Sequence, residues 1–109
     1  MRAFAIVFTF ALAFAQTKPD PENGKKLFLK DGCYQCHGQS GSGGLAGPRL
    51  AQTKLTQTAF MAYVRNPAPG SMPAYRAKVL ADQELADIYA FIKSLPEPRP
   101  LSSIPALEP

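Results

Sequence analysis

The sequence predicts an all-α domain of three to four short helices, and three observations predict it. Leu85, Ile88, Phe91, Ile92 and Leu95 form an apolar stripe at helical spacing. Two earlier segments, one opening at Asp20-Pro21-Glu22 and one closing at Asn66-Pro67, carry helix start and stop signals. No run of alternating apolar residues recurs on both sides of a turn, so neither a strand pair nor an internal repeat is expected.

The start of the chain reads as an export label. Arg2 supplies a minimal positive region, Ala3 to Ala13 an uncharged apolar run, and Ala13-Phe14-Ala15 the small-x-small pattern of a cleavage site before Gln16. The run is shorter than the roughly 20 apolar residues that span a bilayer. A removed signal peptide is therefore expected rather than an uncleaved anchor, and no cysteine lies close enough to the site for a lipid anchor. The expected division is a signal peptide over 1–15, one folded domain over 16–95 and a proline-rich tail over 96–109. The mature protein is expected in the periplasm or otherwise exported, without a membrane span.

In the domain, Asp20 is the expected N-cap, Pro21 the first helical residue and Glu22 an acid where the helix dipole favours one. This helix should run to about Asp31, with Gly24, Leu27 and Phe28 on one face and Lys25, Lys26 and Lys30 mostly outside. Gly32 permits the turn into Cys33. Gly38 to Gly47, rich in glycine and serine, should be an irregular loop whose exit Pro48 stiffens. Its glycines loosely resemble a phosphate-cradling loop, but no strand precedes them and the acidic ribose partner is missing, so nucleotide binding is not expected.

Thr56 to Arg65, containing Phe60, Met61 and Val64, makes a short helix that Asn66-Pro67 stops. Pro67, Pro69, Gly70 and Pro73 then hold the segment around Ser71 and Met72 in an extended or turning path. In the last helix, Asp82 and Glu84 occupy the first turn and Pro96 ends it. Pro98, Pro100, Pro105 and Pro109 among small residues predict an extended tail.

The 109 residues carry a formal net charge of +4 without a basic run or an aromatic-interleaved basic patch, which argues against a nucleic-acid partner. A domain this short buries little surface and is often held by a cofactor, a metal or a disulfide. Its two cysteines are spaced Cys33-Tyr34-Gln35-Cys36 and followed directly by His37. Cysteines three positions apart can each form a thioether with one vinyl group of a haem, which holds the adjacent histidine under the ring within reach of the iron. One covalent haem c is therefore the expected cofactor. A zinc site would need four ligands where the motif offers three, and a thiol–disulfide motif would need a strand–helix–strand framework that is missing.

His37 is the only histidine, so two histidines of this chain cannot both ligate the iron. Beyond Met1, the candidate methionines are Met61 and Met72. Met61 lies in a helical pattern beside Phe60 and Val64, where methionine is commonly core filler. Met72 lies in a proline-bounded loop whose stiffness can hold a weak thioether at the iron, and it is the expected second ligand.

Together with Cys33-x-x-Cys36-His37, several separated features resemble the small class I cytochromes c of bacteria, over about Asp20 to Pro96. Gly24 and Phe28 resemble the family's N-terminal helix signature and Phe91 the aromatic residue of its C-terminal helix. Gly47-Pro48-Arg49-Leu50 and Ser71-Met72-Pro73-Ala74-Tyr75 resemble its two haem-facing loops. The resemblance implies a class I cytochrome c fold wrapped around one covalently bound haem, with His37 and Met72 as axial ligands. It also implies that the first and last helices cross at Gly24, and that the carbonyl of Pro48 accepts the proton on the other ring nitrogen of His37. The absence of tryptophan departs from larger members, leaving Tyr63, Tyr75, Arg49 and Arg76 as candidate propionate donors.

With six strong-field ligands the iron stays low-spin and no ligand need move, which suits a single-electron carrier rather than an enzyme. The expected partners are redox proteins, met as a monomer or within a redox complex. Lys25, Lys26, Lys30, Arg49, Lys54, Arg76 and Lys78 either steer acidic ones or are simply a solvated surface. The alternatives are an electron-accepting subunit of a larger dehydrogenase or oxidase and, against the lack of a second histidine for distal acid–base work, an open-site sensor or peroxidase.

Overall fold

The computed structural model describes residues 4–7 and 17–107. The cleavage pattern Ala13-Phe14-Ala15, and with it most of the signal segment expected over 1–15, lies outside the described residues. Four α-helices follow one another: α1 (Pro21–Lys30), α2 (Cys33–His37), α3 (Gln57–Arg65) and α4 (Asp82–Ser94). Among the described residues there is no strand, only one isolated bridge between Gly44 and Gly47.

The helix ends follow local chemistry. The carboxylate of Asp20 accepts the amide of Glu22 at 3.0 Å, and the hydroxyl of Thr56 accepts the amide of Ala59 at 3.1 Å, satisfying donors that would otherwise lack partners. At α4 the Glu84 carboxylate reaches back to the amide of Ala81 at 3.0 Å. Alanine has no side-chain oxygen to return that bond, so only half of a capping box forms. The α4 stripe then buries Leu85, Ile88, Phe91 and Ile92, while Leu95 closes the helix half-buried.

The core sits where α1 crosses α4, with α3 packed alongside. Leu27 and Phe28 meet Leu85, Ile88, Phe91 and Ile92, and Phe60, Val64 and Leu80 complete the cluster. The crossing is close because position 24 is glycine: a Cβ there would overlap the carbonyl of Asp87 and come within 2.9 Å of the nitrogen of Ile88. That approach brings the rings of Phe28 and Phe91 to 5.3 Å between centroids in an edge-on pair. Phe28 is fully buried, which favours folding by about 3 kcal/mol before the ring pair is considered.

Cys33–His37 is a helix of its own, entered through the turn that Gly32 permits. One feature departs from the sequence expectation. The tail is not simply extended: Leu101–Ser103 and Pro105–Leu107 form 3-10 turns. Pro100 and Pro105 preset the backbone for them, and Ser103 closes the first by donating both its amide and its hydroxyl to the carbonyl of Pro100, at 2.9 and 2.7 Å.

Candidate functional site

Gly32 enters α2 in the left-handed region, at φ 77°, where glycine carries no steric penalty. The turn it makes sends the chain from the end of α1 directly into α2. Cys33 and Cys36, one helical turn apart, lie on the same side of α2, the first half-buried and the second exposed. Both are free thiols. Burial, and then the charge of Asp31, push the Cys33 thiol up to about 11.

His37 ends α2 and is buried. Its Nδ1 lies 2.7 Å from the carbonyl oxygen of Pro48. A carbonyl can only accept, so Nδ1 carries a hydrogen, and in the neutral ring Nε2 then has the lone pair that a metal would take. The intervening loop folds back to make this possible: Gly43 donates to the carbonyl of His37 at 2.8 Å, while Leu50 and Ala51 both donate to Gly41 at 2.8 and 2.9 Å. Position 47 has no room for a side chain, since a Cβ there would come within 2.9 Å of the Cys36 carbonyl and 3.1 Å of the His37 ring.

Met72 lies in the stretch between α3 and α4, half-buried against the core in company with Cys33, Tyr34, Leu50 and Tyr75. Turns fix it locally, with the amide and hydroxyl of Ser71 both donating to Ala68 at 3.1 and 2.6 Å. Tyr75 ties the segment to its neighbours, donating its amide to Val64 at 3.1 Å and its hydroxyl to the carbonyl of Asp31 at 2.9 Å. Met61 also touches the core, but its sulfur accepts a weak contact from Gln57 at 3.9 Å, and the residue helps line an open cleft with Thr17, Asp82 and Gln83.

Of the candidate propionate donors, Tyr75 is engaged with Asp31, Tyr63 has its hydroxyl 3.4 Å from that of Ser71, and Arg49 and Arg76 are exposed. The seven basic residues considered for steering are all exposed. Among the described residues, no cluster of three or more histidine, cysteine or acidic side chains is placed to hold a metal ion by itself.

Sequence reasoning passed over three residues. Arg65 reaches from α3 to the carbonyls of Tyr75 and Leu80 at 2.9 and 2.6 Å and to the carboxylate of Asp82 at 2.7 Å. Asp87, only 4% exposed, accepts from the Asp20 amide, Asn23 and Gln83 at 2.8, 2.9 and 3.1 Å. Asp31 keeps one carboxylate oxygen, Oδ2, buried without a hydrogen-bond partner among the described residues. None of these has a local sequence signal: most partners of Arg65 and Asp87 are backbone groups or lie far along the chain, and the buried oxygen of Asp31 has no partner to mark it.

The donor set fits a c-type haem. Two thiols lie on one side of a short helix, an imidazole is pinned through one nitrogen with the other free, and a thioether lies in a stiff loop against the same core.

Known proteins fall in line with this. The family model described as "Cytochrome C oxidase, cbb3-type, subunit III" matches residues 19–92, which span every candidate site residue. A thiosulfate dehydrogenase of Psychrobacter arcticus is 35% identical over 91 residues, an alignment covering 74% of this chain and 28% of that protein. The chain thus spans less than a third of the length of that relative. No solved structure matches it significantly.

Proposed function

The chain belongs to the cytochrome c family described as cytochrome c oxidase, cbb3-type, subunit III, and from that premise we propose that Cys33 and Cys36 attach its haem, that His37 and Met72 ligate the iron, and that Pro48 orients His37. Electron transfer through a covalently bound c-type haem is the activity of such a domain. When bound, the group supplies a one-electron ferric/ferrous couple.

The observation that carries the residue assignment is the 2.7 Å contact between His37 Nδ1 and the carbonyl of Pro48, which turns Nδ1 away from a metal and leaves Nε2 as the available ligand atom on the helix that also carries the two thiols. Cys33 and Cys36 hold the group through carbon–sulfur bonds, so retention does not depend on the oxidation state of the iron. Pro48 fixes the rotation of the imidazole and, by drawing on its Nδ1 hydrogen, makes Nε2 a stronger donor. The thioether of Met72 disfavours the extra positive charge of ferric iron relative to a second imidazole, which raises the potential. Tyr34, Leu50 and Tyr75 are half-buried and pack against the same core as Cys33 and Met72.

The test is production in a host that exports and matures c-type cytochromes. The protein should gain the mass of one haem, and its ferric form should show a weak far-red methionine charge-transfer band. That band should vanish in Met72→Ala and survive in Met61→Ala. Colourless, unmodified protein would overturn haem attachment at Cys33 and Cys36; a band that outlives Met72→Ala would overturn ligation by Met72.

A second reading has support in the likeness to a thiosulfate dehydrogenase about three times as long. In it the domain is the electron-accepting unit of a larger oxidoreductase, rather than a free shuttle between redox proteins. In either case we place its work in the periplasm or another exported setting, with acidic partners meeting the exposed basic residues; no described helix is long and apolar enough to cross a membrane. Co-purification from the native host separates the two, since a shuttle comes away alone and a subunit does not. Transfer rates that ignore salt would argue against electrostatic steering.

A further inference from the structure

We infer that Arg65 is the positioning residue that holds the Met72 segment in place for ligation, an inference that rests on Met72 being the ligand. A thioether is a weak donor, so it occupies the iron only while the backbone that carries it is held still. The segment from Asn66 to Ala81 has no helix or strand of its own. Its bonds to the rest of the fold are therefore few, and each one matters.

Arg65 supplies two of them from a single nitrogen. From the last turn of α3 its Nη1 donates to the carbonyl of Tyr75 at 2.9 Å and to that of Leu80 at 2.6 Å. The preceding residue, Val64, accepts the amide of Tyr75 at 3.1 Å. Tyr75 is thus gripped through its nitrogen and its oxygen by one turn of α3, three residues after Met72. The incoming end of the same arc is fixed because it leaves that very turn through Asn66-Pro67. Met72 is held in a closed arc whose two ends meet at Val64 and Arg65.

The choice of arginine follows from geometry. Its planar fork presents several N–H groups in fixed directions, enough for two carbonyls and a carboxylate at once, whereas a lysine ammonium has three mobile donors on a flexible stem. Its side chain is 18% exposed and Leu80 only 1%, so the carbonyl bonds are shielded from water. Removing the guanidinium would strand those acceptors. The third contact, to Asp82, matters less, because that carboxylate is 79% exposed and such ion pairs contribute little.

The experiment compares haem-loaded full-length Arg65→Gln, Arg65→Lys, Asp82→Asn and Met72→Ala. Arg65→Gln should weaken the far-red band, lower the reduction potential and raise the apparent carbon monoxide affinity of the ferrous protein by about tenfold, because a loosened thioether competes less well for the iron. Asp82→Asn should leave all three near wild type. In urea, Arg65→Lys should lose the band at a lower concentration than it loses helicity, opening a wider gap than in wild type or Asp82→Asn. This last measurement decides the matter if Arg65→Gln fails to load haem. An Arg65→Gln protein with unaltered band, potential and carbon monoxide affinity, or an Arg65→Lys protein whose two urea midpoints move together, would overturn the role of Arg65. Retention of the band by Met72→Ala would instead overturn the ligand assignment on which it rests.

Discussion

The hydroxyl of Tyr75 donates to the backbone carbonyl of Asp31 across 2.9 Å, joining the segment that carries Met72 to the residue just before the Gly32 turn into α2. Burial above all, with the charges of Cys33, Asp31 and Cys36 behind it, holds the phenol above its ordinary titration range, so it stays a donor through neutral pH. Thioether formation would remove the cysteine charges and leave burial and Asp31 to act. Tyr75→Phe keeps the ring and deletes the bond. It should lower unfolding free energy by about 1 kcal/mol, read from urea melts followed by circular dichroism. An unchanged midpoint would mean the carbonyl of Asp31 finds water at no cost.

The α1–α4 crossing gives a sharper expectation. A methyl at position 24 has backbone against it rather than a flexible side chain, so Gly24→Ala forces the helices apart and should cost about 2 kcal/mol or more. Gly44 has no heavy atom near its would-be Cβ and no positive φ, so Gly44→Ala is the control and should be close to neutral. Thermal melts of the two variants check this; equal losses would show that glycine 24 serves flexibility rather than close approach.

The three longer helices were legible from signals within their own few residues: Asp20 with Pro21 at the start of the first, Asn66-Pro67 at the end of the second, and the Leu85-to-Leu95 stripe with Pro96 in the third. The helical state of Cys33–His37 was not, since five residues are too few for a period to register and so short a helix depends on its tertiary surroundings. The pairing of His37 with Pro48 was implied by family resemblance, while the glycine contacts that shape it lie in a loop with no periodicity. Asp87 was illegible for a different reason. An acidic residue between Leu85 and Ile88 reads as solvent-facing, and the groups that receive it, Asn23 and the amide of Asp20, sit more than 60 residues away.

Asp87 sets a pH dependence. Burial alone would raise its pKa, but hydrogen bonds from Asn23, the Asp20 amide and Gln83 outweigh burial and lower it below the usual carboxylate value. A depressed folded-state pKa stabilises the protein above the unfolded-state value of about 4 and loses that contribution as pH falls through the lower folded-state value. Wild type should therefore lose stability below about pH 4 more steeply than Asp87→Asn. At neutral pH the variant should already be weaker by about 2 kcal/mol, having exchanged charged bonds for neutral ones. Parallel acid limbs for the two proteins would show that another carboxylate governs the transition.

Asp31 bears on the redox centre itself. Its Oδ2 is buried without a partner among the described residues, and burial first, with the charge of Asp31 second, pushes the Cys33 thiol up to about 11. A negative charge so near the attachment site stabilises ferric over ferrous iron, because the oxidised centre carries one more positive charge and the buried setting screens it poorly. Asp31→Asn retains the shape and removes the charge. It should raise the reduction potential by tens of millivolts, on the order expected for one partly buried charge. The backbone carbonyl that Tyr75 uses is untouched by the substitution, so the loop anchor survives and a change in potential reports charge rather than geometry. Voltammetry of the two haem-loaded proteins at low and high salt decides it. A shift that salt abolishes would place the carboxylate in solvent, and no shift at either salt would remove Asp31 from the centre's electrostatics.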